Sequence, residues 1–183
     1  MAESVDLSHA VTFHLPTGSV RTADDANAAV VPTSALAELV RSSPTEARGR
    51  FGKAIGEAMG RRIAKRVGGS AALLGGSLEL VTTHLAGEVA LAGLGTLVIE
   101  RWGRALVFHW TGAPVELSEV LSGILEGAIA SATGRDATCV LLGAHGGMRI
   151  LATNDIAARR VRGWLDEGVP WAEALTRLQG GAA

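Results

Sequence analysis

The chain has 183 residues, 48% of them hydrophobic and 19% charged, with a formal net charge of -1. This is the usage of a folding chain, and the length suits one domain with a sizeable core. Cys139 is the only thiol, which excludes an internal disulfide framework and a cysteine-rich zinc site, and the charge balance argues against a nucleic-acid binder, which would be clearly basic.

The start, Met1-Ala2-Glu3-Ser4-Val5-Asp6, is acidic and lacks the basic residues and apolar run of a secretory signal. The most apolar stretch, Val89 to Ile99, is bracketed by Glu88 and Glu100 and is too short to span a bilayer. A cytoplasmic protein without a membrane span is expected. Residues 1–32 form a mixed segment with a strand predicted at Val11–Leu15, ended by Pro16-Thr17-Gly18.

From Thr33 the pattern turns helical. Leu36, Leu39 and Val40 predict a short helix over 34–41, stopped by Ser42-Ser43-Pro44. A longer helix is predicted from Thr45, as its cap, to Val67, where Gly68-Gly69 ends it. Inside it Gly52, Gly56 and Gly60 fall four apart. An interior glycine costs about 1 kcal/mol of helix propensity, so such a stripe marks a close backbone approach, either within the chain or across a dimer interface. The same helix carries Arg48, Arg50, Lys53, Arg61, Arg62, Lys65 and Arg66, a solvated basic face or a surface for an anionic partner.

Ser77 to Leu94 reads as a third helix with Leu78, Val81, Leu85 and Val89 on one face, ended by Gly93 and Gly95. Thr96–Arg101 and Arg104–Trp110 then predict a β-hairpin turning at Trp102-Gly103. Pairing Arg101 with Arg104 places Leu97 and Ile99 opposite Phe108 and Leu106 on the core face, with Val98, Glu100, Val107 and His109 behind. Ser118 to Thr133 is a helix with Val120, Leu121, Ile124, Leu125 and Ile129 as its apolar stripe, Gly123 and Gly127 four apart, and Gly134 as its cap. A second hairpin, Thr138–Leu142 and Met148–Ala152 around Gly143-Ala-His-Gly-Gly147, is apolar on both faces and expected to be buried on both. Asn154 or Asp155 caps a helix to about Glu167, and Val169-Pro170 introduces a last one carrying Trp171, Leu175 and Leu178.

Candidates for chemistry are sparse. His9, His14, His84, His109 and His145 form no metal-binding motif, and Cys139 with His145 across the second hairpin would supply two ligands where zinc takes three or four. A cysteine between Thr138 and Val140 on a strand is most often an inert small hydrophobe. Neither Gly143–Gly147 nor Gly68–Gly75 contains the lysine of a phosphate loop, and the former leads into a strand. An enzyme would have to draw on His84, His109 and Glu88 converging in space.

This order of elements, with Phe51-Gly52-x-x-x-Gly56 on the long helix and Cys139 opening the last hairpin, resembles the 4-vinyl-reductase domain family over about residues 30 to 153. That family is related in fold to small subunits of the transport protein particle (TRAPP) tethering complex. The resemblance implies an α+β domain of helices packed on antiparallel hairpins, dimeric, which senses or scaffolds. Members bind phenols or other apolar molecules upstream of transcription activators, or assist tetrapyrrole metabolism. Several hold zinc through cysteines near the last hairpin, and with Cys139 alone here neither a metal nor a cofactor is expected.

The expected organisation is an N-terminal segment over 1–32, the family-like domain over 33–153 and a C-terminal helical extension over 154–183. The expected function is a non-enzymatic, homodimeric ligand-binding or assembly module. Its apolar pocket is formed by Leu85, Val89, Phe108, Trp110 and Leu121, and its dimer contact by Gly52, Gly56 and Gly60. The alternative is an adaptor that docks a protein partner through the glycine-striped, basic helix without a ligand.

Overall fold

The computed structural model describes residues 11–22, 27–69, 71–72 and 78–180. Residues 1–10 with His9, the helix start expected at Ser77 and part of the 68–75 glycine run lie outside them. Near the N-terminus, β1 (Val11–His14), β2 (Ser19–Thr22) and β3 (Asn27–Ala28) form a small antiparallel sheet in that order. Sequence reading anticipated only the first of these strands.

The rest is one α+β body. Helices α1 (Thr33–Arg41), α2 (Thr45–Val67) and α3 (Leu78–Leu91) precede strands β4 (Thr96–Trp102) and β5 (Ala105–Thr111). Helix α4 (Ser118–Thr133), strands β6 (Thr138–Gly143) and β7 (Met148–Thr153), and helices α5 (Asp155–Asp166) and α6 (Trp171–Gly180) complete it. The strands form one antiparallel sheet in the order β4-β5-β7-β6.

Alternation along the strands builds two cores, one on each face of the sheet. Phe108, Trp110, Cys139, Met148 and Ile150 pack on α2, α3 and α4 through Met59, Ile63, Leu85, Val89, Leu121 and Ile124. Val107, Val140, Leu142 and Leu151 pack on Ala158, Val161 and Leu175 of α5 and α6. The second hairpin is therefore buried on both faces, as its composition predicts, and the C-terminal helices are an integral layer.

Two local expectations are corrected. Thr45 does not cap α2: Pro44, extended at φ -60 and ψ 145, holds that position, because a residue with a fixed φ and no N–H suits a helix boundary. In the first hairpin Arg101 pairs with Leu106 and Trp102 with Ala105, so the two-residue turn is Gly103-Arg104. Such turns need a residue with positive φ at their first position, and Gly103, at φ 59, supplies it. The shift is by two residues, so the faces are unchanged: Leu97 and Ile99 still point to the core, now opposite Trp110 and Phe108.

The glycine stripe is filled from within. A Cβ on Gly52 would lie 2.9 Å from Val120 Cα, and one on Gly56 would lie 2.8 Å from the Ile124 carbonyl carbon. Gly123 and Gly127 of α4 answer with equally close approaches to the backbone of α2 at Lys53. Gly52, Gly56 and Gly60 thus seat α4 of the same chain, which corrects their assignment to a dimer interface: small residues let two helix backbones touch, and the partner backbone is already present. The basic stripe is partly consumed as well. Arg62 donates to the buried Glu88 carboxylate at 2.9 and 2.6 Å, Arg66 pairs with the same group, and Arg48 donates to the Ser43 carbonyl at 2.8 Å.

Candidate functional site

Strand β4 is one edge of the sheet, and α3 leads into it through residues 92–95. Helix α3 ends three residues earlier than its pattern suggests, because Gly93 turns left-handed (φ 67) and the Leu94 N–H donates back to the Val89 carbonyl at 3.1 Å. The chain then reverses along its own helix. Between α3 and β4 lies a groove of about 480 Å³, lined among the described residues by Thr82, Thr83, Ala86, Leu97, Val98, Ile99 and Arg101. Small-molecule sites commonly occupy about 300–1,000 Å³.

Period-two geometry puts Leu97, Ile99 and Arg101 on the face of β4 that looks toward the helices. The reversal sets the start of α3 against the end of β4. Ala86 and Leu97 therefore form an apolar end, and Thr82, Thr83 and Arg101 a polar one. Leu97 and Ile99 are the cross-strand partners of Trp110 and Phe108, so the groove opens one strand further out than the pocket expected from sequence.

The five residues expected to line that pocket are brought together, but as core. Val89, Trp110 and Leu121 have 0% exposure, and Leu85 and Phe108 have 3%. They belong to one continuous apolar cluster, and the Trp110 indole N–H donates to the Leu94 carbonyl at 2.6 Å. They form the wall behind the groove rather than its lining. Arg101 was the legible residue that sequence reading passed over: a cation continuing the inward face of Leu97 and Ile99 is unusual in a purely structural strand.

On the opposite face of the sheet a second polar group ties β4 in place. Arg149 of β7 donates to Glu100 at 3.0 and 3.1 Å, and Nδ1 of His109 lies 3.2 Å from the same carboxylate. The Arg149 hydrogen bonds hold the Glu100 carboxyl below its ordinary range, against the opposing effect of burial. His109 Nε2 lies 2.9 Å from the Gly146 carbonyl oxygen. Trp102 stacks edge-on against Trp171 of α6 at 4.8 Å, and Gln179 donates to the Trp102 carbonyl at 2.6 Å. These contacts clamp the outer strand to β7 and α6, fixing one wall of the groove.

Other candidates disperse. Glu88 is paired with Arg62 and Arg66, and His109 lies against Glu100 in the strand clamp. Cys139 is buried while His145 is exposed in the β6–β7 loop. Burial, reinforced by the nearby Glu126 carboxylate, pushes the Cys139 thiol far above its ordinary value, the inert state its strand position suggested. Its backbone is held at the other sheet edge, its N–H donating to Glu126 and its carbonyl accepting from Arg162, both at 2.8 Å. Among the described residues no cluster of three His, Cys, Asp or Glu is placed to hold a metal, and no helix is long and apolar enough to cross a membrane.

No family model matches the chain, and no curated protein matches it. Among solved structures, the phenol-responsive sensory domain of the transcription activator PoxR, solved with phenol, superposes with a TM-score of 0.55 at 18% identity. The fold is similar to that of a sensory domain. The match spans 94% of this chain and 92% of that one.

Proposed function

We propose that this domain is a non-enzymatic, sensor-like module that binds a small, largely apolar molecule in the groove between α3 and β4. The observation that carries the reading is the groove itself, a space of about 480 Å³ with an apolar end at Ala86 and Leu97. It lies in a fold similar to that of a domain solved with a small aromatic ligand. The order of elements over 33–153 supports kinship with the 4-vinyl-reductase family, and with it a cytoplasmic, homodimeric module.

The adaptor reading keeps less support, since the glycine stripe seats α4 and Arg62 and Arg66 of the basic face neutralise Glu88. The glycine stripe, engaged with α4, no longer argues for a dimer. Further support for a dimer comes from Phe13, Leu15, Val30 and Val31, large apolar side chains that stand exposed around the small N-terminal sheet.

Thermal denaturation against a panel of phenols, alcohols and fatty acids tests the binding reading, because a ligand that binds only the folded state raises the melting temperature with concentration. Ala86→Phe, which fills the apolar end, is expected to abolish the rise produced by any hit. A panel without a hit, or a hit indifferent to that substitution, contradicts it.

A further inference from the structure

Resting on that reading of the groove, we propose that its ligand is a short, largely apolar peptide in extended conformation, which lies between α3 and β4 and adds an antiparallel strand at the β4 edge. In an antiparallel pair, residues whose N–H and C=O bond to the neighbouring strand alternate with residues whose groups point away from it. The turn at Gly103-Arg104 fixes the phase, because the residues flanking a two-residue turn, Trp102 and Ala105, bond to each other. Glu100, Val98 and Thr96 then bond to β5, and the N–H and C=O of Leu97 and Ile99 point outward. The far edge of the sheet verifies this phase. Carried through the registers of β5, β7 and β6, the same alternation turns the N–H and C=O of Cys139 outward, and those are the groups bonded to Glu126 and Arg162.

The two edges differ. At β6 a carboxylate and a guanidinium take the positions that a partner strand would use, and charged side chains commonly protect an edge in this way. At β4 the outward groups of Leu97 and Ile99 have no hydrogen-bond partner among the described residues. The side chains of the same two residues line the groove, so donor, acceptor and apolar floor recur together every second residue, about 6.8 Å apart.

An extended polypeptide repeats its own N–H and C=O at that spacing. A phenol or an alkyl tail covering the same strand would strip water from four backbone groups without pairing most of them, a burial that polar groups resist. The other face of β4 has a matching demand. Val98 and Trp102 stand 53% and 39% exposed on the side away from α3, beyond reach of a molecule confined to the groove and within reach of alternate side chains of an added strand. From Leu97 to Arg101 the edge runs about 13 Å, the length of about four extended residues.

The test is isothermal titration of the full chain with the heptapeptide acetyl-TVTVTVK-amide, with two analogues N-methylated at its valines or at its threonines, and with 1-decanol. In an antiparallel strand whose valines face the helices, the valine N–H groups are the ones that meet β4. Methylating them is expected to weaken binding at least about tenfold, and methylating the threonines to leave it within about twofold. Ile99→Pro removes one outward donor and no ladder bond to β5, while Ile99→Ala trims the same side chain and keeps the donor. The proline variant is expected to bind the heptapeptide at least about tenfold more weakly than the alanine variant, and 1-decanol equally. Circular dichroism melting reports whether each variant is folded, and the methylated peptides test the pairing on the unaltered chain. Equal affinities for the three peptides, a loss confined to the threonine analogue, or binding of 1-decanol without the peptide overturns the strand addition while leaving a groove for small apolar molecules. Absence of binding by both peptide and 1-decanol, or binding unaffected by Ala86→Phe, overturns the groove reading itself.

Discussion

Gly56 of α2 sits against the Ile124 carbonyl of α4, so close that a Cβ on Gly56 would fall 2.8 Å from the carbonyl carbon. Gly52 stands in the same relation to Val120 one turn earlier. Two helix backbones in direct contact form the spine on which the sheet is laid.

Gly56→Leu is accordingly expected to destabilise the domain by about 1–3 kcal/mol or more, since the obstacle is backbone that no side-chain rotation relieves. Gly49, on the same helix, has nothing within 4 Å of where its Cβ would be. Gly49→Ala is expected to be neutral or to stabilise by up to about 1 kcal/mol through helix propensity alone. Urea denaturation of the two variants separates a packing glycine from an idle one.

Glu88 is 1% exposed and faces Arg62 and Arg66 across the α2–α3 contact. Glu88→Gln leaves two guanidinium groups without their counter-charge. Because the arginine side chains keep 15% and 24% exposure, the loss is expected near the lower end for a broken buried pair, about 2–3 kcal/mol. The same denaturation experiment measures it, and an unchanged midpoint would show that water replaces the carboxylate at no cost.

Much of this architecture was legible in the sequence. The bounds of α2 and α4 follow from their glycine stops, and the two-sided burial of the second hairpin follows from apolar residues at consecutive positions. The faces of the first hairpin survived a register error because that error was a multiple of the strand period. What could not be read was which partner the glycines approach: small residues signal contact, and nothing in their spacing distinguishes a helix of the same chain from one of another. The groove was hidden for a similar reason. Phe108 and Trp110 look like pocket walls in one dimension, but the space they flank is filled by Leu85, Val89 and Leu121, and the opening falls at the sheet edge, where Arg101 continues the inward row.

The Glu100–Arg149 pair predicts a defined acid response. A carboxyl held below its ordinary value in the folded state contributes stability that is present above the unfolded value of 4.5 and is lost as pH falls through the lower, folded value. Arg149→Gln removes the main cause of that lowering. The variant is expected to be less stable at neutral pH and to lose proportionately less on acidification to about pH 3. Melting temperatures across that range check the prediction, and parallel curves for the two proteins would contradict it.

Homodimerisation is the expected state in solution, with the N-terminal sheet at the contact. Phe13 and Leu15 expose 61% and 86% of their surface. Light scattering at micromolar concentration is expected to give twice the chain mass, and the double substitution Phe13→Ser, Leu15→Ser to give a monomer. A monomeric mass for the unaltered chain removes the dimer from the account.

The central claim is that the space between α3 and β4, and not the core behind it, receives a small molecule. Methyl NMR of the full chain, titrated in turn with phenol and with decanoate, tests it most directly because it resolves Ala86, Leu97 and Ile99 from Leu121 and Leu125. The account predicts saturable shifts, with at least one of the two probes, that are largest at Ala86, Leu97 and Ile99 and small at Leu121 and Leu125. Shifts centred on Leu121 and Leu125, or no saturable shift with either probe, would contradict it.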